Sequence, residues 1–263
     1  MSNVRIFLLH CQHVFEYRLR SFIWFLQPIQ NCLILILFWL GAFHNKSQIG
    51  GWTLNNITAY YFLLTIASSL LVSHIEEDIS DYDIKQGDLV RYLLRPYSYY
   101  WIKFFEETPW RLLQGFYGII LLAIFLFWLG NFLQLHVNVD WYFITPAIIL
   151  AYFISFTYKM NLGLTAFWLK DARALHQVLE IIAIVLGGGV VPLELMPGYL
   201  KKIADLTPFP YITYYPITIF QGKYQLDILL KIIGFQFLWL SFLLIARRVM
   251  WSRGIRSFTA TGQ

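Results

Sequence analysis

The side chains able to do chemistry are few and scattered. Six histidines, His10, His13, His44, His74, His136 and His176, fall on different segments. His10 and His13 lie one helical turn apart, a spacing open to a metal but better suited to the polar face of an interfacial helix. His74 with Glu76, Glu77 and Asp78 offers more metal-capable groups, yet their spacing matches no defined ligand pattern, so no metal site is expected. A phosphate-binding loop needs G-x-x-x-x-G-K-[ST]. Here Gly222 and Lys223 are followed by Tyr224, and Ile217 stands where the first glycine belongs. The chain therefore expects no nucleotide or other cofactor of its own. Cys11 and Cys32 have neither disulfide nor metal spacing. No catalytic residues and no enzyme activity are expected.

Two charges stand inside apolar runs. Lys159 and Glu180 flank a turn near Asp171, which puts them at similar depth on antiparallel neighbours. Each alone is costly in lipid, so an intramembrane pair is expected. The alternative is that Lys159 snorkels to the inner surface.

These groups need a scaffold, and composition names its class. The chain is 58% hydrophobic and 13% charged over 263 residues, with a mean hydropathy of +0.57. Soluble domains carry about 25% charged residues, so the chain is expected to be a polytopic, all-α membrane protein. The net charge of +5 reports topology and not nucleic-acid binding. Apolar segments at 22–43, 53–73, 110–130, 141–169, 175–191 and 226–250 predict six spans, the fourth projecting into water. Residues 3–21 predict an amphipathic helix, either an interfacial anchor or a lever. With the N-terminus inside, fourteen Lys and Arg fall on cytoplasmic segments and five outside, so both termini are expected in the cytoplasm. Trp52, Trp110, Trp128, Trp141, Trp168 and Trp251 fall near span ends, as an aromatic belt requires. Residues 187–223, opened by Gly187, Gly188 and Gly189 and broken by five prolines, predict an outer cap of short helices, one over 196–204, or else an ordinary structured loop. No internal repeat or linker divides the chain, so 1–263 reads as one membrane domain.

The polar stretch 79–101 interrupts this pattern. Glu76, Glu77, Asp78, Asp81 and Asp83 extend the second span into water. Gly87 breaks that helix and Asp88 caps the next. Leu89 to Arg95 then form about two turns, stopped at Pro96. Leu89, Tyr92 and Leu93 share one face, and Arg91 and Arg95 another. So short a helix needs a surface to dock on: a partner, the membrane, or the protein's own helices.

At this stretch the chain resembles the membrane subunit of an ATP-binding-cassette exporter of the six-span class. The sequence G-D-L-V-R-Y-L-L-R-P ending at Pro96 is similar to the family's G-x-L-x-x-x-L-x-R-P segment. The outer stretch with V-P-L-E-L-M-P, L-T-P-F-P-Y-I and Y-P-I-T-I-F-Q-G matches the family's proline pattern before the last span. The resemblance implies a permease paired with a related or identical second permease in a bacterial inner membrane. Each would dock on a separate ATPase that carries ATP and magnesium. It implies a coupling helix at Asp88, Leu89, Arg91, Tyr92, Leu93, Arg95 and Pro96, with a second contact at 170–174 including Asp171 and Arg173. Leu89, Tyr92 and Leu93 would fill the partner's cleft, and Arg91 and Arg95 would meet its acidic rim. The N-terminal helix would be the connecting helix. Thr65, Ser68 and Ser69, with Gly187 to Gly189, would line the pathway. The competing classes are a self-contained gradient-driven carrier or channel, which predicts ion-linked intramembrane charges, and a lipid-modifying membrane enzyme, which predicts an interfacial catalytic cluster.

Overall fold

The computed structural model describes residues 3–129 and 141–258. The described residues are helical, with one isolated antiparallel bridge between Ile49 and Trp52 and no sheet. In chain order come α1 (Asn3–Glu16), α2 (Arg18–Ala42), α3 (Leu54–Leu71), a wide π-helix (Asp78–Lys85) and α4 (Leu89–Leu93). These are followed by α5 (Tyr99–Leu129), α6 (Trp141–Leu164), α7 (Arg173–Leu186), α8 (Gly198–Asp205), α9 (Tyr214–Phe220) and α10 (Leu226–Ser257). Five segments are long and apolar enough to cross a membrane: Phe22–Ala42, Leu54–Leu71, Tyr99–Phe125, Trp141–Phe167 and Leu226–Ser257. Of these, α3 is 61% buried and α2 only 17%, so α3 sits at the centre and α2 on the rim.

Cross-contacts fix the direction of each helix. Trp39 Nε1 donates to Tyr61 Oη at 2.7 Å, and the rings of Phe62 and Phe125 lie 3.8 Å apart, so α3 runs antiparallel to α2 and α5. Phe104 stacks on Phe153, and Tyr100 meets Thr157, so α5 and α6 are antiparallel. By contrast α6 and α10 run parallel. Gln236 donates to the Ala147 carbonyl, Asn161 to that of Leu243, and the Phe167 ring lies against Gly254. Residues 168–225 must therefore climb the full height of the bundle before α10 can start.

The fifth expected span, 175–191, does not do this alone. It is α7, of 14 residues, about 21 Å long at 1.5 Å per residue against a hydrocarbon core of about 30 Å. The apolar run extends past Leu186, but its last residues leave the helix at Gly187, and Gly188 has φ +80°. A left-handed residue ends a helix whatever its neighbours' hydropathy.

Other boundaries move too. The third expected span begins at Trp110, yet α5 starts eleven residues earlier, at Tyr99, and carries Lys103, Glu106, Glu107 and Arg111 within it. The expected end of that span, Gly130, lies outside the described residues. The fourth expected span is packed almost to its end, and only Trp168 and Leu169 are exposed there. Its end at Leu164, Ala166 and Phe167 is buried in a second, smaller core with Ile75, Ile79, Ile84, Leu89 and Tyr99. The break between α1 and α2 falls at Tyr17 and not at residue 21, and α1 leans along the start of α5 through Phe7 and Phe105. Trp52 is core, 4% exposed, with Lys223 Nζ 3.7 Å over its ring; it is not part of a lipid-facing belt. Trp141 and Trp168 are exposed, and the Trp128 side chain lies outside the described residues. The helix expected at 196–204 is α8, with Tyr199 and Ile203 turned outward.

The end of the bundle where α5 and the π-helix begin is called basal below. The end holding α8 and α9 is called apical.

Candidate functional site

At the basal end α3 stops at Val72, whose ψ of 114° is extended. The backbone groups freed by this break are not left bare, as buried polar groups must not be. Ser73 N–H donates to Ser155 Oγ at 2.9 Å, and His74 N–H to Glu107 Oε1 at 3.1 Å. Arg111 donates to the Val72 carbonyl at 3.1 Å and pairs with Glu107 at 2.9 Å. Side chains of α5 and α6 thus replace the missing helical bonds.

One turn on, Lys159 of α6 contacts Glu180 of α7, the pair expected from the sequence, and also Glu76 at 2.6 Å. Glu76 is 8% exposed and was expected in water. Its apolar neighbours Ile75 and Ile79 were the available signal, since both belong to a buried stripe continuing past the break. Two carboxylates around one ammonium tie α6, α7 and the segment below α3 together. Glu76 Oε2 is buried with no hydrogen-bond partner among the described residues.

The π-helix holds a second ionic knot. Asp83, 2% exposed, meets Lys103 at 2.6 Å and accepts from Tyr99 Oη at 2.5 Å. Burial pushes the Asp83 carboxyl above its ordinary range against the pull of Lys103. Lys103 also donates to Tyr92 Oη at 3.2 Å and lies over its ring at 4.6 Å. His10 of α1 reaches Glu106 at 3.5 Å, which joins the N-terminal helix to the same knot. The acidic front is therefore divided: Glu76 and Asp83 are buried and Asp81 is half-buried, while Glu77 and Asp78 are exposed as expected of a solvated helix end. The burial of Asp83 was not legible in the sequence because Lys103 and Glu106 precede the expected third span at Trp110, whereas α5 already includes them.

The helix α4 is shorter than expected. Gly87, at φ +82°, makes the break as anticipated. Asp88 makes no side-chain cap bond and instead pairs with Arg91 at 2.5 Å. Leu89 is fully buried in the basal core, and Tyr92 turns inward to Lys103 and Tyr99. Neither is free to fill a partner's cleft. Their places on the outer surface are taken by Leu93, 46% exposed, and Leu94, 82% exposed, beside Arg91, Arg95 and Pro96. The turn after α6 comes to the same end. Asp171 accepts the Arg173 N–H at 3.1 Å, and Arg173 grips Asp81 at 2.7 Å. Burial raises the Asp81 pKa, but Lys85 and Arg173 outweigh it and hold the carboxyl below its ordinary range.

At the apical end the glycine turn is held by neutral groups. Tyr60 Oη donates to the Gly188 carbonyl at 2.8 Å, Tyr61 Oη to Val190 at 2.6 Å, and Thr213 Oγ1 to Gly187 at 3.1 Å. Thr65 and Ser69 donate to carbonyls one turn back in α3 and are buried in the subunit's own core; Ser68 is half-buried. The structure brings α3 and Gly187 to Gly189 together, through Tyr60 and Tyr61, which the sequence reading did not single out.

Such a bundle, with five membrane-length helices among the described residues and all its ion pairs there but Lys223–Glu194 gathered at the basal end, defines an integral membrane protein. The chain belongs to the ABC-2 family transporter proteins, whose family model matches residues 29–262. It is thus an ABC transporter membrane protein, a component whose relatives are typically non-catalytic. No curated protein and no solved structure matches it significantly.

Proposed function

We propose that this chain is the permease subunit of an ATP-driven exporter and forms half of the translocation pathway. It pairs with a second permease, related or identical, and each permease docks on an ABC ATPase that binds ATP and magnesium. The basal end is cytoplasmic, as the excess of Lys and Arg in basal segments supports. The membrane is a bacterial inner membrane by family analogy alone. α7 and the apical hairpins together make the sixth crossing, since residues 168–225 must return to the start of α10.

One observation carries the coupling role: α4 is anchored on one face and bare on the other. Leu89 and Tyr92 fix it to the basal core, while Leu93, Leu94, Arg91 and Arg95 face outward. An ATPase gripping that outer face moves α4, and the π-helix carries the motion to Glu76, Lys159 and Glu180. The Arg173–Asp81 bridge links the turn at 170–174 to the same π-helix, so both contacts act on one element. The pathway then lies beside α3 and the Gly187 to Gly189 turn, where half-buried Ser68 and Gly189 reach its wall and Thr65 and Ser69 back it from the subunit's core.

Purification in mild detergent tests this. The chain should retain an ATPase, and Leu94→Glu with Arg91→Glu should release it while the chain still elutes as a single folded species. Retention by the double variant, or no ATPase with the unaltered chain, would overturn the reading.

A further inference from the structure

A cavity of about 200 Å³ opens at the basal end between α4, the start of α5 and the end of α10. Tyr92, Arg95, Tyr99, Tyr100, Arg247 and Trp251 line it. The tyrosine hydroxyls are already engaged: Tyr99 with Asp83, Tyr100 with Thr157, and Tyr92 with Lys103. The guanidiniums are not. Arg247 lies 4.7 Å over the Tyr100 ring, and its Nε is buried without a hydrogen-bond partner. Arg95 lies 5.8 Å from the Tyr92 ring centre. Among the described residues neither forms a salt bridge, because the nearby acids are committed elsewhere: Asp83 and Glu106 to Lys103, and Asp88 to Arg91. Two arginines thus face one cavity with no acidic partner among the described residues. Planar guanidiniums with unused N–H groups suit a phosphate, which accepts two parallel bonds from each fork.

The rim identifies the source of that phosphate. Leu93, Leu94 and Trp101 are exposed beside the opening. Trp101 packs on Phe153 of α6, and Ile149, one turn further into the bundle's mid-height, is 52% exposed. An apolar track therefore runs from the cavity along a membrane-crossing helix. Basic pockets at the ends of crossing helices, next to lipid-facing apolar surface, bind anionic headgroups. We propose that this cavity binds the phosphate headgroup of an anionic phospholipid, held by Arg247 and Arg95, with its acyl chain along Trp101, Phe153 and Ile149. The site shares Arg95 and Leu93 with the outer face of α4, but Arg247 takes no part in that face, so Arg247→Gln separates lipid binding from ATPase docking.

Native mass spectrometry of the purified full chain, titrated with phosphatidylglycerol, phosphatidylcholine or glycerol 3-phosphate, tests it. The unaltered chain should retain phosphatidylglycerol about tenfold more tightly than phosphatidylcholine, the scale of one charged hydrogen bond. Arg247→Gln should abolish that preference, and Arg256→Gln should keep it. If Arg247→Gln does not fold, Arg95→Gln should weaken the preference in its place. Equal retention of the two lipids, or a preference untouched by either substitution, would overturn the proposal. So would Arg247-dependent binding of glycerol 3-phosphate as tight as that of the lipid, which would assign the cavity to a soluble phosphate. If Arg247→Gln released an ATPase but kept the lipid preference, the cavity would belong to a partner's carboxylate.

Discussion

The two ends of this bundle solve the same problem with different materials. Both contain an interrupted helix whose backbone must be satisfied away from water. At the apical end the turn at Gly187 to Gly189 is held by tyrosine and threonine hydroxyls on backbone carbonyls. At the basal end the interruption at Val72 is held by charged side chains, Glu107 and Arg111, next to the Glu76–Lys159–Glu180 and Asp83–Lys103 contacts. A neutral hydroxyl bond costs little to form and little to lose. A buried charge is expensive unless its partner stays in place. The apical end can therefore tolerate single losses, whereas the basal end works as a unit that moves together or fails. A region receiving force from a partner benefits from the second kind of construction.

The contrast is open to direct attack. The largest effect is expected from Lys159→Met, which leaves Glu76 and Glu180 facing one another without a cation. It should cost about 3 to 5 kcal/mol, seen as a lower melting temperature in detergent. Adding Glu76→Gln and Glu180→Gln should recover much of the loss. A single variant as stable as the unaltered chain would show that the basal contacts are incidental. Tyr60→Phe should be far milder. It leaves the Gly188 carbonyl short of one bond, at about 1 kcal/mol, by the same melting assay. If it matched Lys159→Met, the difference between the two ends would collapse.

The smallest effect should come from the Arg173–Asp81 bridge, because Arg173 is well exposed. Asp81 has a folded-state pKa below its unfolded value of about 3.9. Its stabilisation is thus fully present above that value and is lost as pH falls through the lower folded one. Asp81→Asn should lower the melting temperature slightly at pH 7, less at high salt, and not at all once the carboxyl is protonated. A difference unchanged by salt and pH would mean that the substitution acts through packing alone.

Much of the fold was legible in the sequence, for identifiable reasons. α2, α3 and α10 are long apolar runs bounded by polar residues, and such runs give little choice of structure. Lys159 and Glu180 could be matched because a short turn at Asp171 fixes the register of two antiparallel helices. Glu76 could not, since its depth depends on a break at Val72 that side chains 33 or more residues away make tolerable. The same holds for α4. Its Gly87 break follows from local residue types, but its buried face depends on Asp83 and Lys103 meeting, a contact between an expected solvated end and a residue ahead of the expected third span. α7 was overestimated because hydropathy does not see that Gly188 adopts a left-handed backbone.

The basal contact around Lys159 also has a consequence for how the chain is made. Helices enter a membrane in the order of their synthesis. Glu76 precedes Lys159 by 83 residues, and Glu180 follows it by only 21. A lysine inside an inserting helix is penalised, by about 3 kcal/mol at the centre and by less toward the end where Lys159 sits. The segment carrying Lys159 therefore arrives with one carboxylate already in place at the basal end of α3. It then offers its remaining ammonium bond to α7, a 14-residue helix too short to cross alone, while α7 is still leaving the ribosome. The lysine that holds the finished bundle together is also placed to recruit a helix that cannot span the membrane alone.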